Sequence, residues 1–313
     1  MAEHGRDTTR RGGWSYALRE PVREPLDVVT RVPAGGGGST LPLHMVFTDD
    51  GTYVPAIVLA PEGAGPFPAV ICLHGGSGGL GVSYLADQVL HRGMVYDRLL
   101  QEGYLVCVTE GRMEHEDAYG SPHGEHVLDH EDVVAVFNHL AGQPAVDPLR
   151  IGFFGVSHGG EEQMKVVSEL GGGPAALVPT EPAVIEYLGL RYPGERTEAQ
   201  LQFNGDLDDE LVDLEGAMRR IERIPAGLPI LVVGRDGDHL QGLFRKLYEL
   251  LDRAGRNASW ASFDHPEHAY QWGPRLGEGG YRPGEVERAT LERVVGFLNR
   301  EVRDRSARPG PTG

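Results

Sequence analysis

RIGFFGVSHGG, residues 150–160, is the stretch on which the fold reading turns. Its opening is a short apolar run of the kind that forms a strand buried on both faces. It runs directly into Gly155-Val156-Ser157-His158-Gly159, the pattern G-x-S-x-G, and then into a stretch with helical character over 159–170. A strand that becomes a helix through a serine flanked by glycines holds the hydroxyl exposed at the tip of a sharp turn. The backbone doubles back so tightly there that a side chain at either glycine would overlap it. The new helix also aims its amino end, where negative charge is favoured, at the same point. Ser157 is therefore the candidate nucleophile. A chance match on a surface turn is the bland alternative in a chain with 45 glycines, and the strand-and-helix context argues against it.

Outward from this turn, strands and helices alternate. LPLHMVF (41–47) and YVPAIVLAP (53–61) flank Asp49-Asp50-Gly51, which reads as a hairpin turn. PAVICL (68–73), YLVCVT (104–109), AALVP (175–179), LPILVV (228–233) and ASWASF (258–263) read as further strands. Helices are expected over 82–102, 128–141, 239–254 and 284–302. This order predicts an α/β fold: a mainly parallel, doubly wound sheet covered on both faces. In such sheets ligands bind beyond the carboxyl ends of the strands. Residues 1–40 read as an N-terminal extension, 41–303 as the domain, and 304–313 as a loose tail. Residues 181–226 are acidic and too long for an ordinary connection, so they read as a cap or lid. Within them Ile185, Tyr187, Leu188 and Leu190 are either pocket-lining or core residues.

A serine needs a neighbouring base, and the base needs a group that fixes its tautomer. His268 lies five residues past Phe263, at the end of the last expected strand, and is the best-placed base; His265 in the same loop is the alternative. The acid is expected after LPILVV, within Gly234-Arg235-Asp236-Gly237-Asp238. Asp238, directly before a helix, is favoured. Asp236 suits a turn-stabilising role, as aspartate commonly does, and Glu181, just past strand 175–179, is a weaker candidate acid. A tetrahedral intermediate needs fixed N–H donors. The His158 amide follows the nucleophile, and the Gly76 amide, with Gly75 next, lies in the Gly-rich loop after PAVICL. Arg112, three residues past strand 104–109, is a candidate contact for a polar or anionic group on the substrate.

Composition excludes several classes. The 313 residues include 46 acidic and 29 basic ones, a net charge of -17, which disfavours nucleic acid as a partner. No apolar run approaches the ~18 residues of a membrane span. The start lacks the apolar core of a secretory signal, so the expected location is cytoplasmic, with no membrane partner. Cys72 and Cys107 sit inside apolar runs and read as buried free thiols. Residues 113–131 are rich in His and carboxylates but carry no metal motif such as H-E-x-x-H, and no metal site is expected.

LHGG at 73–76, VDPLRIGFFGVSHGG at 146–160, LPILVVGRDGD at 228–238 and FDHPEHAY at 263–270 resemble the dienelactone hydrolase and prolyl-oligopeptidase-like branch of the α/β-hydrolases. The resemblance spans about residues 40–302. It implies an α/β-hydrolase fold, no cofactor, a small-molecule ester substrate, and a family acid and histidine falling on Asp238 and His268. Dienelactone hydrolases proper use a cysteine nucleophile; serine at 157 points to an esterase-like activity instead. The alternatives are a peptidase, an acyltransferase or cyclase with the same triad, and a non-catalytic binding protein.

Overall fold

The computed structural model describes residues 28–34, 39–48, 53–76, 81–111, 129–190, 203 and 205–305. The apolar runs pair into one nine-stranded sheet in the order β1-β2-β3-β5-β4-β6-β7-β8-β9. The strands are β1 (Val28–Ala34), β2 (Ser39–Phe47), β3 (Tyr53–Leu59), β4 (Phe67–Leu73), β5 (Leu105–Thr109), β6 (Val146–Val156), β7 (Ala176–Thr180), β8 (Ile230–Arg235) and β9 (Ala258–Phe263). The first three pair antiparallel, β3 pairs antiparallel with β5, and every pairing from β5 to β9 is parallel. β1 falls inside the stretch read as an N-terminal extension. The hairpin turn expected at 49–51 and the Gly-rich residues 77–80 lie outside the described residues.

The central strands β4, β5, β7 and β8 and the second half of β6 are mostly apolar because both of their faces are covered. Side chains alternate between the faces along a strand. Ala69, Ile71, Phe153, Ile230 and Val232 thus enter one core, under α3 (Asp129–Ala141), α4 (His158–Leu170), α5 (Leu214–Glu222) and α6 (Gln241–Arg253). Val70, Phe154, Leu231 and Val233 enter the other, under α1 (Val82–His91), α2 (Met94–Gln101) and α7 (Glu285–Leu298). The helix expected over 82–102 is two helices, broken at Arg92-Gly93. Cys72 and Cys107 are free and buried in opposite cores, so the sheet itself separates them. Burial pushes both thiols up from their ordinary range.

In the 181–226 segment, α5 belongs to the crossover from β7 to β8 and packs against α4 and α6. Tyr187 and Leu188 are buried in the first core, and Ile185 and Leu190 pack against it. The structure therefore uses these four as core. Residues 191–202 and 204 lie outside the described residues. Among the described residues no helix is long and apolar enough to cross a membrane.

Candidate active site

Adjacent strands deliver their candidate residues to one edge of the sheet. Read across it, β5 is followed by Glu110, β4 by His74 and Gly75, β6 by Ser157, β7 by Glu181, β8 by Asp238 and β9 by His268. The strand order reverses at β4, and β4 and β6 border the crevice where open parallel sheets bind ligands.

Ser157 sits at the junction of β6 and α4 with φ 56° and ψ -118°. A non-glycine residue at positive φ is uncommon, and such strain concentrates at functional sites. The glycines make the turn feasible. A Cβ on Gly155 would stand 2.2 Å from the Gly159 carbonyl oxygen, and one on Gly159 2.4 Å from that of Leu73. The turn is pinned on both sides: Ser157 N donates to Thr180 O at 2.9 Å, Gly159 N to His74 O at 3.1 Å, and Ala183 N to Ser157 O at 2.9 Å.

The β4 loop approaches the serine closely. A Cβ on Gly75 would lie 3.0 Å from Ser157 Cβ and 3.7 Å from its Oγ. His74 is buried and holds this loop from behind. Its Nε2 is 2.9 Å from Glu110 Oε2, and Glu110 Oε1 accepts from Gly81 N at 2.6 Å, which ties the two ends of the loop to one carboxylate. Gly76 follows at φ 83° on the exposed side. The His158 amide opens α4, and its imidazole faces Glu161 and Glu162 at 3.8 and 3.9 Å. Arg112 and residues 113–128 lie outside the described residues.

His268 is partly buried, and its Nδ1 lies 2.8 Å from Asp238 Oδ2. Asp238 is fully buried; its Oδ1 accepts from Leu240 N at 2.7 Å, and its Oδ2 from Arg235 Nε at 2.8 Å. Asp236 points elsewhere, accepting from the Ser262 hydroxyl at 2.6 Å, so it ties the turn to β9. His265 also points away, with its ring stacked on Tyr270 at 4.1 Å between centroids. Burial favours the protonated form of Asp238, but hydrogen bonds from His268, Leu240 N–H and Arg235 outweigh it and hold the carboxyl down at about 2. Burial likewise opposes charge on His268. The Asp238 and Glu181 carboxylates overcome it and raise the imidazole from 6.5 to about 9.

The second carboxylate is the feature that sequence reading ranked lowest. Glu181 Oε2 lies 2.9 Å from the same Nδ1, and Glu181 is itself fully buried. Its position directly after β7 is the only sequence signal for it. Arg235 is buried beside both acids and donates to His265 O at 2.7 Å, so it also braces the loop that carries His268. Sequence reading gave Arg235 no role. Among the described residues one trio of metal-ligand type gathers within 4.8 Å, Asp238, His239 and His268. The Nδ1 of His268 and the Asp238 carboxylate in that trio are already bonded to each other.

No protein-family model matches the chain, and no curated protein matches it by sequence. Solved structures do match. An esterase from Pyrobaculum calidifontis superposes with a TM-score of 0.59 at 17% identity, over 90% of this chain and 87% of that one. Carboxyl esterase 2 of the fungus Tuber melanosporum gives 0.55 at 16% identity, over 94% and 95%. Dipeptidyl peptidase 4 of Porphyromonas gingivalis gives 0.55 at 17% identity, over 84% of this chain and 35% of that one. This chain has the α/β-hydrolase fold. At such identities the likeness carries the fold alone, and chemistry must be argued from the site.

Proposed function

We propose that this α/β-hydrolase-fold chain is a serine hydrolase that cleaves a carboxylic ester through an acyl-enzyme on Ser157. The observation that carries the reading is the gathering of a strained serine, a buried carboxylate and a histidine at strand ends of one sheet edge, with His268 Nδ1 2.8 Å from Asp238. In the proposed reaction the neutral form of His268, which grows as pH rises towards about 9, takes the Ser157 proton on Nε2 as Oγ attacks the ester carbonyl. The oxyanion is held by the His158 and Gly76 amides. Collapse expels the alkoxide, which receives the proton from His268. Water, deprotonated by the same imidazole, then attacks the acyl group and restores the serine. Asp238 holds the Nδ1 proton and stabilises the imidazolium. No step calls for a cofactor.

The reading includes a small-molecule ester substrate, a cytoplasmic site of action, and a place near the dienelactone hydrolase and prolyl-oligopeptidase-like branch. The reading keeps a cap or lid role for the 181–226 segment, of which residues 191–202 and 204 lie outside the described residues. Contact between Arg112 and a polar substrate group is the remaining element. A peptidase is the second reading, favoured by the match to the P. gingivalis dipeptidyl peptidase 4. A panel of p-nitrophenyl esters of graded acyl length beside aminoacyl p-nitroanilides tests the choice. Turnover of esters alone is expected; faster anilide cleavage would move the chain to the peptidases.

A further inference from the structure

The imidazole of His268 meets two buried carboxylates, whereas one suffices to fix its tautomer. Its Nδ1 is 2.8 Å from Asp238 Oδ2 and 2.9 Å from Glu181 Oε2. We infer that Glu181 is a second positioning residue for His268, sharing the Nδ1 proton with Asp238 across a charge network closed by Arg235. The inference rests on the reading of His268 as the base.

Three observations carry it. Both acids are fully buried, so neither is a solvated charge that happens to lie nearby. Buried carboxylates need compensation. Here Arg235 is the guanidinium beside both, with Nη2 at 2.7 Å from Asp238 Oδ2 and Nε at 3.9 Å from Glu181 Oε2, while Leu240 N–H, Ala269 N–H and the Gln271 amide donate the other hydrogen bonds. Two acids against one arginine leave an excess negative charge facing the imidazole, which favours the imidazolium that forms as serine attacks. Third, the backbone is bent to aim these groups. Among the described residues the non-glycine positions at positive φ are Ser157, Glu181 and Ala269, at 56°, 45° and 61°. One is the nucleophile, one is Glu181, and one directly follows His268. Glu181 is aimed from both ends: its N–H donates to Val233 O at 2.7 Å, and its carboxylate accepts from Ala269 N at 2.8 Å and Gln271 Nε2 at 2.7 Å.

The titratable and charged groups facing His268 are Asp238, Glu181, Arg235 and the His239 ring, whose centroid is 5.2 Å away. With both carboxylates present the imidazole stands at about 9. A staple role, in which Glu181 merely ties down Ala269 and Gln271, predicts something different. Glu181→Gln keeps the shape and one acceptor oxygen, and the Gln271 amide can turn to meet it. A staple survives that change, whereas a charge partner does not.

The experiment is an NMR titration of the His268 ring in full-length protein labelled with 13C-histidine, assigned by its loss in His268→Gln. In Glu181→Gln the His268 pKa is expected to fall by about one unit or more, the usual effect of removing a charge at this distance. In Asp238→Asn, with Glu181 intact, it is expected to stay above the ordinary imidazole value of about 6.5. That second variant keeps the test decisive if Glu181→Gln does not fold. An unchanged pKa in folded Glu181→Gln, or a collapse to the ordinary value in Asp238→Asn, overturns the inference. Fluorophosphonate labelling of the same proteins separates the two readings. If Ser157 does not react, the hydrolase reading falls, and the titration still reports whether Glu181 holds the imidazole.

Discussion

At Ser157 reactivity and stability pull in opposite directions. Its φ of 56° and ψ of -118° are comfortable only for glycine, and such strain costs about 1–3 kcal/mol. Ser157→Gly relieves it, offset in part by the freer unfolded chain. The expected net gain is about 1 kcal/mol, or roughly 2–4 °C in Tm for a domain of this size, with activity lost. Thermal unfolding checks this, and a lower Tm would show that the turn is not strained. The neighbouring loop gives a geometric counterpart. Gly75→Ala would press a methyl to 3.0 Å from Ser157 Cβ, and displacing catalytic groups by about 1 Å can lower rates about 100-fold. The expected effect is on kcat with an unchanged Tm; an undisturbed kcat would place the reacting carbonyl elsewhere. The two aspartates of the β8 turn divide similarly. Asp238→Asn should lower kcat/KM by about 100-fold or more, short of the roughly 10⁴ of a sole acid because Glu181 remains. Asp236→Asn should stay within about twofold, since Asp236 meets Ser262 rather than a histidine. Equal losses in the two would mean the turn is assigned to the wrong carboxylate. The contact of Asp238 with His268 had a sequence signal, its place after an apolar strand and before a helix. Glu181 was legible only as a carboxylate after a strand, because nothing in a linear pattern reveals where a positive-φ residue aims its side chain.

At the scale of elements, α4, the helix behind Ser157, buries an acid in its first turn. Glu161 is buried in its first turn, accepts from Tyr187 N at 2.7 Å, and faces Lys165, Glu186 and His158. Burial, the largest influence, raises its carboxyl from 4.5 to about 7. A carboxyl raised on folding binds its proton more tightly in the native state, so stability falls as pH rises from about 4.5 towards 7. Glu161→Gln removes that dependence while keeping an acceptor for Tyr187 N–H. The variant should therefore gain Tm relative to the parent on going from pH 5 to pH 8, as scanning calorimetry would read. A constant difference across that range would mean the group is not shifted. Element legibility followed exposure of the pattern. β4, β5, β7 and β8 were visible because both of their faces are buried, which makes each a mostly apolar run, and β6 was visible through its buried second half. β1 was not: as an edge strand it pairs on one side only, and Arg31 and Pro33 mask any alternation. The break at Gly93 was also missed, because the helical pattern continues across it.

For the whole molecule, the chain order of strands and helices was enough to predict a mainly parallel, doubly wound sheet and which end of it gathers the candidate residues. It was not enough to show that β6, β7, β8 and β9 are neighbours in that order, which is what sets Ser157, Glu181, Asp238 and His268 side by side. Nor did it settle the 181–226 segment, whose described apolar residues serve the core under α4 and α6. We propose that these strand ends serve to make Ser157 a nucleophile. The most direct test is intact-mass analysis of the protein after treatment with a fluorophosphonate, followed by peptide mapping, with Ser157→Ala in parallel. One adduct per chain is expected, on Ser157, with no adduct and no ester turnover in a folded Ser157→Ala protein. An adduct on another residue, or hydrolysis persisting in Ser157→Ala, would contradict it.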